Sequence, residues 1–264
     1  MTTRAEAAAR FLFDAHRAGD RFRAIPETMA PRSVGEAYDV QDAFISLKAR
    51  QRGPIAGYKL ALSTPQMRRM VGYGDSIAGV LLSDGLQRSP ARVRASDYTR
   101  LLVEFEIGLQ LGADLPASDA PFARPDVARA IAGVLPALEL ADDRDADYAG
   151  LSRNLLHLIA DNAWNEGAVL GSPVSDWQAL DLAGLRGLAT INGVGVGEGR
   201  GGDALGHPLE ALAWIANHLA GRGRSLRAGD VVITGSIVTS KFPRPGDHVQ
   251  FSVEHLGEVV LAVE

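Results

Sequence analysis

The stretch that decides the fold reads Leu101-Leu102-Val103-Glu104-Phe105-Glu106-Ile107-Gly108-Leu109-Gln110-Leu111, an apolar run that contains two carboxylates. This pattern predicts a strand, and successive side chains of a strand point to opposite faces. Glu104 and Glu106 therefore share one face. The apolar residues at odd positions share the other, which we expect to be the core face.

The two carboxylates repel each other, so a fold that keeps them side by side needs a counter-charge. A hard divalent cation suits this role because it takes several carboxylate oxygens at once. Glu139 lies in a second apolar run, Val134–Leu140, and adds a third acid. We predict an open Mg²⁺ or Mn²⁺ site on Glu104, Glu106 and Glu139, with water or substrate in the other positions. The alternative is the solvated face of an edge strand, which would usually carry both signs of charge.

The composition is that of an ordinary globular protein. The chain has 264 residues, of which 46% are hydrophobic and 22% charged, and its formal net charge of −5 argues against nucleic acid or an anionic membrane surface as a partner. No apolar run approaches the roughly 20 residues that span a bilayer. Cysteine is absent and the first residues do not resemble a signal peptide, so we expect a cytoplasmic protein without disulfides or thiolate metal ligands.

The order of predicted elements favours two regions and an α+β fold. Residues 1–52 read as a helical region, and residues 53–264 as a β-rich body without the regular alternation of a doubly wound sheet. Within the body, we expect helices at 126–132 and 151–160, and one strand at 188–196 that enters a glycine-rich loop.

Lys59 lies in a predicted strand of small and apolar residues. It could lie along the surface with its ammonium group in water, or it could face the carboxylates and bind an anionic substrate or carry a proton. Thr234 and Ser236 place hydroxyl groups at the end of another predicted strand, where simple turn chemistry is the alternative.

Two other motifs do not support a function. The glycines of Gly193-Val194-Gly195-Val196-Gly197 have a spacing like that of dinucleotide sites, but no helix follows them directly, which excludes a Rossmann site. The histidines show no metal-ligand spacing. We expect His157 to have a packing or surface role and His207 to have a structural role at a helix start.

Six short motifs together resemble one family, and the similarity extends over most of the chain. They are Gly57-Tyr58-Lys59, Val103-Glu104-Phe105-Glu106, Pro136-Ala137-Leu138-Glu139, Ala160-Asp161-Asn162-Ala163, Leu205-Gly206-His207-Pro208 and Thr234-Gly235-Ser236. In this order they are similar to the 2-oxopent-4-enoate (2-hydroxypenta-2,4-dienoate) hydratases and 4-oxalocrotonate decarboxylases of the fumarylacetoacetate hydrolase superfamily.

The resemblance implies a mixed β-roll or barrel-like core with an N-terminal helical region, and a homo-oligomer. It also implies Mg²⁺ or Mn²⁺ on Glu104, Glu106 and Glu139, with Lys59 as a catalytic and substrate-binding cation and Ser236 as a substrate-binding donor. The implied reaction is that of a lyase in aromatic compound breakdown by meta-cleavage, which hydrates a small 2-oxo acid to a 4-hydroxy-2-oxo acid. Association with a paralogous decarboxylase or hydratase, or with a pathway aldolase, is a further implication.

The sequence departs from this family in two places. Ile77 occupies the position of an aspartate that would transfer a proton, and we expect Asp75 to replace it as a catalytic acid if the loop is rearranged. Trp164 follows the Asp-Asn-Ala motif where a small residue is usual, so we expect a reshaped pocket. Two alternatives stay open: a decarboxylase of an oxalocrotonate-like diacid, with Arg68, Arg69 or Lys241 binding the second carboxylate, and a non-catalytic partner subunit.

Overall fold

The computed structural model describes residues 3–264 and confirms an α+β fold. The helices are α1 Arg4–Ala18, α2 Val34–Arg52, α3 Pro65–Val71, α4 Arg124–Ala128, α5 Leu155–Ala160 and α6 Pro208–Gly221. The strands are β1 Ile55–Ala61, β2 Ile77–Leu82, β3 Leu86–Arg88, β4 Ala91–Val93, β5 Leu101–Leu111, β6 Ile131–Asp142, β7 Asn165–Leu170, β8 Arg186–Ile191, β9 Val194–Arg200, β10 Val231–Lys241, β11 His248–Val253 and β12 Gly257–Val263.

Two sheets form the β-rich body. The larger has the strand order β2-β1-β10-β5-β6-β7-β3 and the smaller has the order β4-β12-β11-β8-β9. Their inner faces meet in one core, where the rings of Phe105 and Phe251 lie 5.5 Å apart. Strand β5 is central in the larger sheet, which excludes the solvated edge strand that we considered for the Glu104 segment.

The helices α1 and α2 begin where side chains cap their first turns. Thr3 and Glu6 form a reciprocal capping box at α1, and the Ser33 hydroxyl accepts a hydrogen bond from the Glu36 amide at α2. The two helices enclose a small apolar cluster of their own, which also includes Ala160 at the end of α5. The division of the chain at residue 52 into two regions stays a prediction.

Strand β5 is buried on both faces, contrary to our expectation of a single core face. Glu106 is fully buried, and Glu104 is partly buried. The reason is that the carboxylate face of β5 does not meet solvent. It lies beside a cavity that α3 and the turn Tyr148–Arg153 close from above, together with residues 162–164.

Two predicted helices have other bounds. α4 ends at Ala128, because Ala130 and Ile131 already pair with the end of β5. The segment predicted as one helix at 151–160 is a 3₁₀ turn, Tyr148–Arg153, followed by α5.

The prediction of one strand at 188–196 is wrong. Strands β8 and β9 form a hairpin, and its turn consists of Asn192 and Gly193, both with left-handed backbone at φ 52° and 76°. This is the two-residue turn that suits the twist of a hairpin, and Asn-Gly is its strongest sequence signal. Two glycines of β9 allow close packing on β10: an added Cβ would lie 2.5 Å from Cγ1 of Val238 at Gly197 and 1.8 Å from the carbonyl oxygen of Ile237 at Gly199.

Within residues 3–264, no helix is both long and apolar enough to cross a bilayer.

Candidate active site

The central strands of the larger sheet bring the three predicted carboxylates together. β5 and β6 are antiparallel neighbours with Glu104 directly opposite Glu139, and Glu106 follows on the same face of β5. One carboxylate oxygen from each of the three residues lies within 4.8 Å of the others. We call these three residues, together with Lys59, the carboxylate site.

Lys59 reaches this site from β1, and its Nζ lies 3.0 Å from Oε1 of Glu139. The side chain is only 3% exposed, which excludes the surface alternative. Its stem lies against Gly79 of β2, where an added Cβ would lie 3.0 Å from Cγ of Lys59 and 3.0 Å from the carbonyl oxygen of Asn162. Gly79 is thus needed to admit the lysine.

The charges of the site are not balanced, because three carboxylates face one ammonium group. Burial, followed by the neighbouring Glu139 and Glu104, raises the pKa of Glu106 well above its ordinary value. Burial and Glu139 also raise the pKa of Glu104. Burial by itself would lower the pKa of Lys59, but the three carboxylates outweigh it and raise that pKa, so Lys59 is a cation at neutral pH.

Hydrogen bonds position each carboxylate and leave part of it free. The Gly235 amide donates to Oε2 of Glu106 at 2.6 Å, the Ser240 hydroxyl to Oε1 of Glu104 at 2.7 Å, and the Asn165 side-chain amide to Oε1 of Glu139 at 2.9 Å. Among the described residues, Oε1 of Glu106 and Oε2 of Glu139 have no hydrogen-bond partner although both are buried.

Those two bare oxygens fit a metal site. A buried carboxylate oxygen without a partner is costly, and two of them beside a third carboxylate are what a hard dication binds. If all three acids are ionised, the site carries two negative charges in excess of Lys59, which a dication would neutralise. The residues present therefore fit Mg²⁺ or Mn²⁺.

A cavity of about 640 Å³ opens from the site. Lys59, Glu104 and Ser236 lie in its wall, while Glu106 and Glu139 lie behind them. The Ser236 hydroxyl donates to the carbonyl oxygen of Val238 at 2.7 Å and accepts from the Phe105 amide at 2.9 Å, so its hydrogen already has a backbone acceptor. Thr234 is buried within β10 and not at a strand end, so it does not take part in turn chemistry; its hydroxyl donates to the carbonyl oxygen of Ile107 on the neighbouring β5.

Asp75 is not brought to this site. Its carboxylate accepts hydrogen bonds from Nε1 of Trp214 on α6, at 2.9 Å, and from the Ser76 amide, and it does not line the cavity. The loop after α3 turns toward α6 because the fully buried Ile77 enters the core at the start of β2. The structure thus offers no geometric support for the catalytic role that we expected of Asp75.

The motif Asp161-Asn162-Ala163 is a strained connection. Asn162, Ala163 and Trp164 have left-handed backbone at φ 55°, 46° and 64°. Each such residue costs on the order of 1 kcal/mol. The Asn162 side chain secures the turn through hydrogen bonds with the backbone of Val80, accepting at 2.7 Å and donating at 2.9 Å. This backbone conformation places Trp164 in the cavity wall and brings the Asn165 side chain within hydrogen-bonding distance of Glu139.

A second buried group of charges lies on the helix side of β7, and we call it the paired cluster. It consists of His16, Lys48, Arg144, Asp161 and Glu166. His16 Nε2 lies 2.6 Å from Asp161, and its Nδ1 lies 3.1 Å from Glu166. Lys48 pairs with Glu166 and Arg144 with Asp161.

The pKa shifts of the paired cluster show that its two carboxylates are stabilised as anions. Burial alone would raise the pKa of Glu166 and that of Asp161, but Lys48 and His16 lower the first and His16 and Arg144 lower the second. No sequence pattern indicates this cluster, because its members come from five separate segments. His157 and His207 have the structural roles we expected: their Nδ1 atoms accept hydrogen bonds from the amides of Ile25 and Leu209.

Comparison with known proteins agrees with this geometry. The fumarylacetoacetate (FAA) hydrolase C-terminal family matches residues 74–264. The chain belongs to this family. It is 28% identical over 254 residues to a 2-keto-4-pentenoate hydratase of Paraburkholderia xenovorans (strain LB400), covering 96% of this chain and 93% of the relative.

Two further members of the family have the name 4-oxalocrotonate decarboxylase. One, from Pseudomonas putida, is 29% identical over 227 residues, which covers 86% of this chain and 84% of the relative. The other is a solved structure from Pseudomonas putida G7, complexed with magnesium and adipate, with a TM-score of 0.88 and 27% identity. That match covers 98% of this chain and 97% of the solved one. The resemblance that the sequence motifs indicated is therefore confirmed at the level of the family and the fold.

Proposed function

We propose that this protein is a metal-dependent hydratase that converts a 2-hydroxy-dienoate, through its 2-oxo-enoate tautomer, into a 4-hydroxy-2-oxo acid. The observation that carries the proposal is the carboxylate site itself: three acids with two bare oxygens and one cation, at the end of a cavity. The hydratase relative supports the reaction class.

Glu104, Glu106 and Glu139 would hold Mg²⁺ or Mn²⁺. When bound, the ion supplies positive charge where negative charge develops on the oxygen of a 2-oxo group. Gly235, Ser240 and Asn165 would fix the orientation of the carboxylates, as hydrogen-bond partners of metal ligands commonly do.

The Lys59 ammonium, which lies 3.0 Å from Glu139, would bind the carboxylate of the substrate. Lys59 would serve there as a charge partner of the carboxylates or as a proton carrier. In the reaction, the 2-hydroxyl proton leaves, C5 gains a proton, and water then adds OH to C4 and H to C3. Ser236 would stay at the cavity wall as a substrate contact. The hydrogen bond of Asp75 to Trp214 gives no support to Asp75 as the group that transfers these protons.

The second candidate is decarboxylation of an oxalocrotonate-like diacid, which the similarity to the adipate-bound decarboxylase favours. Arg68, Arg69 and Lys241 were the cations considered for a second carboxylate, and none of the three lines the cavity. A non-catalytic partner subunit is disfavoured because the acids and Lys59 are all present and converge.

The deciding experiment incubates the purified protein with 2-hydroxypenta-2,4-dienoate and, separately, with a 2-hydroxymuconate-type diacid. Each is assayed with Mg²⁺ and with a chelator. We expect Mg²⁺-dependent formation of the 4-hydroxy-2-oxo acid without carbon dioxide. Release of carbon dioxide from the diacid would favour the decarboxylase, and turnover that is equally fast with the chelator would contradict both. A cytoplasmic location, a homo-oligomeric state and association with pathway enzymes stay predictions.

A further inference from the structure

The walls of the cavity select among substrates, and they are mainly apolar. Beyond the carboxylate site the large apolar side chains are Leu62, Met67, Met70, Leu102, Leu151, Leu158, Trp164, Ile237, Val238 and Phe242. Within the described chain, the charged residues of the wall are Lys59, Glu104 and Asp203. Lys59 and Glu104 belong to the site itself, so Asp203 is the charge that remains for the rest of a substrate.

The size of the cavity exceeds what the simplest substrate needs. Its 640 Å³ falls in the range of about 300–1,000 Å³ that is typical of pockets for drug-sized ligands. A five-carbon 2-oxo acid has eight non-hydrogen atoms, and it would leave most of these apolar walls uncovered.

Two of the wall residues are exposed although they are large and apolar. Met70 is 42% exposed and Phe242 is 47% exposed. The guanidinium group of Arg100 lies 5.0 Å from the centre of the Phe242 ring, but Arg100 is committed to ion pairs with Asp143 and Asp145. Arg100 is therefore not free to bind an anionic tail.

We infer that the substrate carries an apolar substituent on C5, alkyl or aryl, and not a second carboxylate. Trp164, Met70 and Phe242 determine this specificity by packing on the substituent, and Asp203 repels an anionic one. The strained turn at Asn162–Trp164 is consistent with this use, because its strain places a large indole in the wall. The inference rests on the proposed function and specifies its substrate class.

The test is a matched series of 2-hydroxypenta-2,4-dienoates that differ only at C5, which carries hydrogen, methyl, phenyl or carboxylate. With Mg²⁺ present, we expect kcat/KM for the phenyl compound to exceed that for the unsubstituted one about tenfold or more, with the carboxylate compound lowest. A preference for the unsubstituted compound or for the diacid would overturn the inference.

Binding of unreactive saturated acids separates this inference from the proposed function. The probes are 2-oxopentanoate, 2-oxohexanoate, 5-phenyl-2-oxopentanoate and 2-oxoadipate, and the readout is the thermal shift of the Mg²⁺-loaded protein. A largest shift with the phenyl acid supports the apolar subsite even if no dienoate is hydrated, a result that would contradict the hydratase alone. A largest shift with 2-oxoadipate would overturn the apolar subsite.

Substitutions in the wall localise the effect. Phe242→Ala should lower the phenyl-to-hydrogen ratio of kcat/KM about fivefold. Leu188→Ala removes an equally exposed apolar side chain (43%) outside this cavity and should leave the ratio unchanged. Met70→Arg should raise kcat/KM for the diacid about fivefold over Met70→Gln, which has similar length and no charge. An unchanged ratio in Phe242→Ala, with the Met70 pair also indistinguishable, would overturn the assignment of these walls.

Discussion

The carboxylate site and the paired cluster are both buried, both charged and separated by one strand, yet they differ in balance. In β7, Asn165 donates to Glu139 of the carboxylate site, and the next residue, Glu166, pairs with Lys48 and His16 of the paired cluster. In the paired cluster every carboxylate has cationic partners, although Nε and Nη1 of Arg144 are buried without a hydrogen-bond partner among the described residues. In the carboxylate site three acids share one lysine, and two oxygens have no partner.

The difference indicates two roles for buried charge. The charges of the paired cluster stabilise the fold, whereas those of the carboxylate site are suited to binding a ligand. Burying an ion is expensive unless it is paired, so a cluster in which every carboxylate has cationic partners can be purely structural. The paired cluster connects α1 and α2 to the sheet through His16 and Lys48. An unbalanced cluster has no such explanation in the folded chain, and a bound dication provides one. The two sites should therefore respond differently to substitution, metal and pH.

The largest effect is expected when a ligand of the carboxylate site is neutralised. Glu106→Gln should abolish measurable Mg²⁺ binding and lower kcat/KM by about 10³-fold, because it removes both a metal ligand and the charge that attracts the ion. Titration calorimetry with Mg²⁺ and steady-state kinetics measure the two effects. Glu27→Gln, at an exposed loop position, is the control. Parental turnover by Glu106→Gln would show that the site is not catalytic.

A substitution that removes a charge from the paired cluster should lower the free energy of unfolding. Arg144→Met leaves the buried Asp161 without its guanidinium partner, and removing one member of a buried pair typically costs about 3 kcal/mol. Urea unfolding of the metal-free protein measures this loss. Arg153→Met, at an exposed position, should change little. If Arg144→Met were as stable as the parent, the cluster would not support the attachment of the helices.

Mg²⁺ should stabilise the protein by binding at the carboxylate site and not at the paired cluster. At a free concentration of 100 times its Kd, an ion that binds the folded state alone raises the free energy of unfolding by about 2.7 kcal/mol. We expect this gain in the parent and in Arg144→Met, and its loss in Glu106→Gln. Thermal unfolding with Mg²⁺ and with a chelator measures it. An equal gain in Glu106→Gln would place the ion elsewhere.

In the metal-free protein, Glu106→Gln should change the free energy of unfolding in the opposite direction from Arg144→Met in the paired cluster. Glu106→Gln relieves repulsion among buried carboxylates and keeps an oxygen that accepts from the Gly235 amide. It should raise the free energy of unfolding by an amount on the order of 1 kcal/mol, the usual size for one substitution. Destabilisation in the presence of a chelator would mean that the three acids are already compensated in the metal-free fold.

The smallest effect concerns pH. Burial would lower the pKa of His16, but Asp161 and Glu166 outweigh it and raise that pKa above its ordinary value. Protonated His16 therefore contributes stability fully below about pH 6.5, and the contribution is lost as the pH rises through the raised pKa. The stability difference between the parent and His16→Gln should shrink from pH 6 to pH 9 in urea titrations. A difference that grows with pH would show that His16 is buried neutral.

Much of this protein follows from its sequence. The alternation in residues 101–111 determines that Glu104 and Glu106 share a face, since the geometry of a strand leaves no other arrangement. The caps at Thr3 and Ser33 determine where the first two helices begin, and the motifs around Lys59 and Glu139 indicate the family. Asn192-Gly193 also carried a hairpin signal, which we missed by following the glycine spacing instead.

Other features depend on contacts between segments far apart in the chain. The pairing of β5 with β6 places Glu104 opposite Glu139, and it is this register that makes three acids into one site. The partners Asn165, Gly235 and Ser240, the position of Asp75 against Trp214, and all of the paired cluster likewise depend on how the elements pack. Strand periodicity is local, so the sequence alone determines it. The pairing of buried charges depends on how distant segments pack together, so it can be seen only in the folded chain.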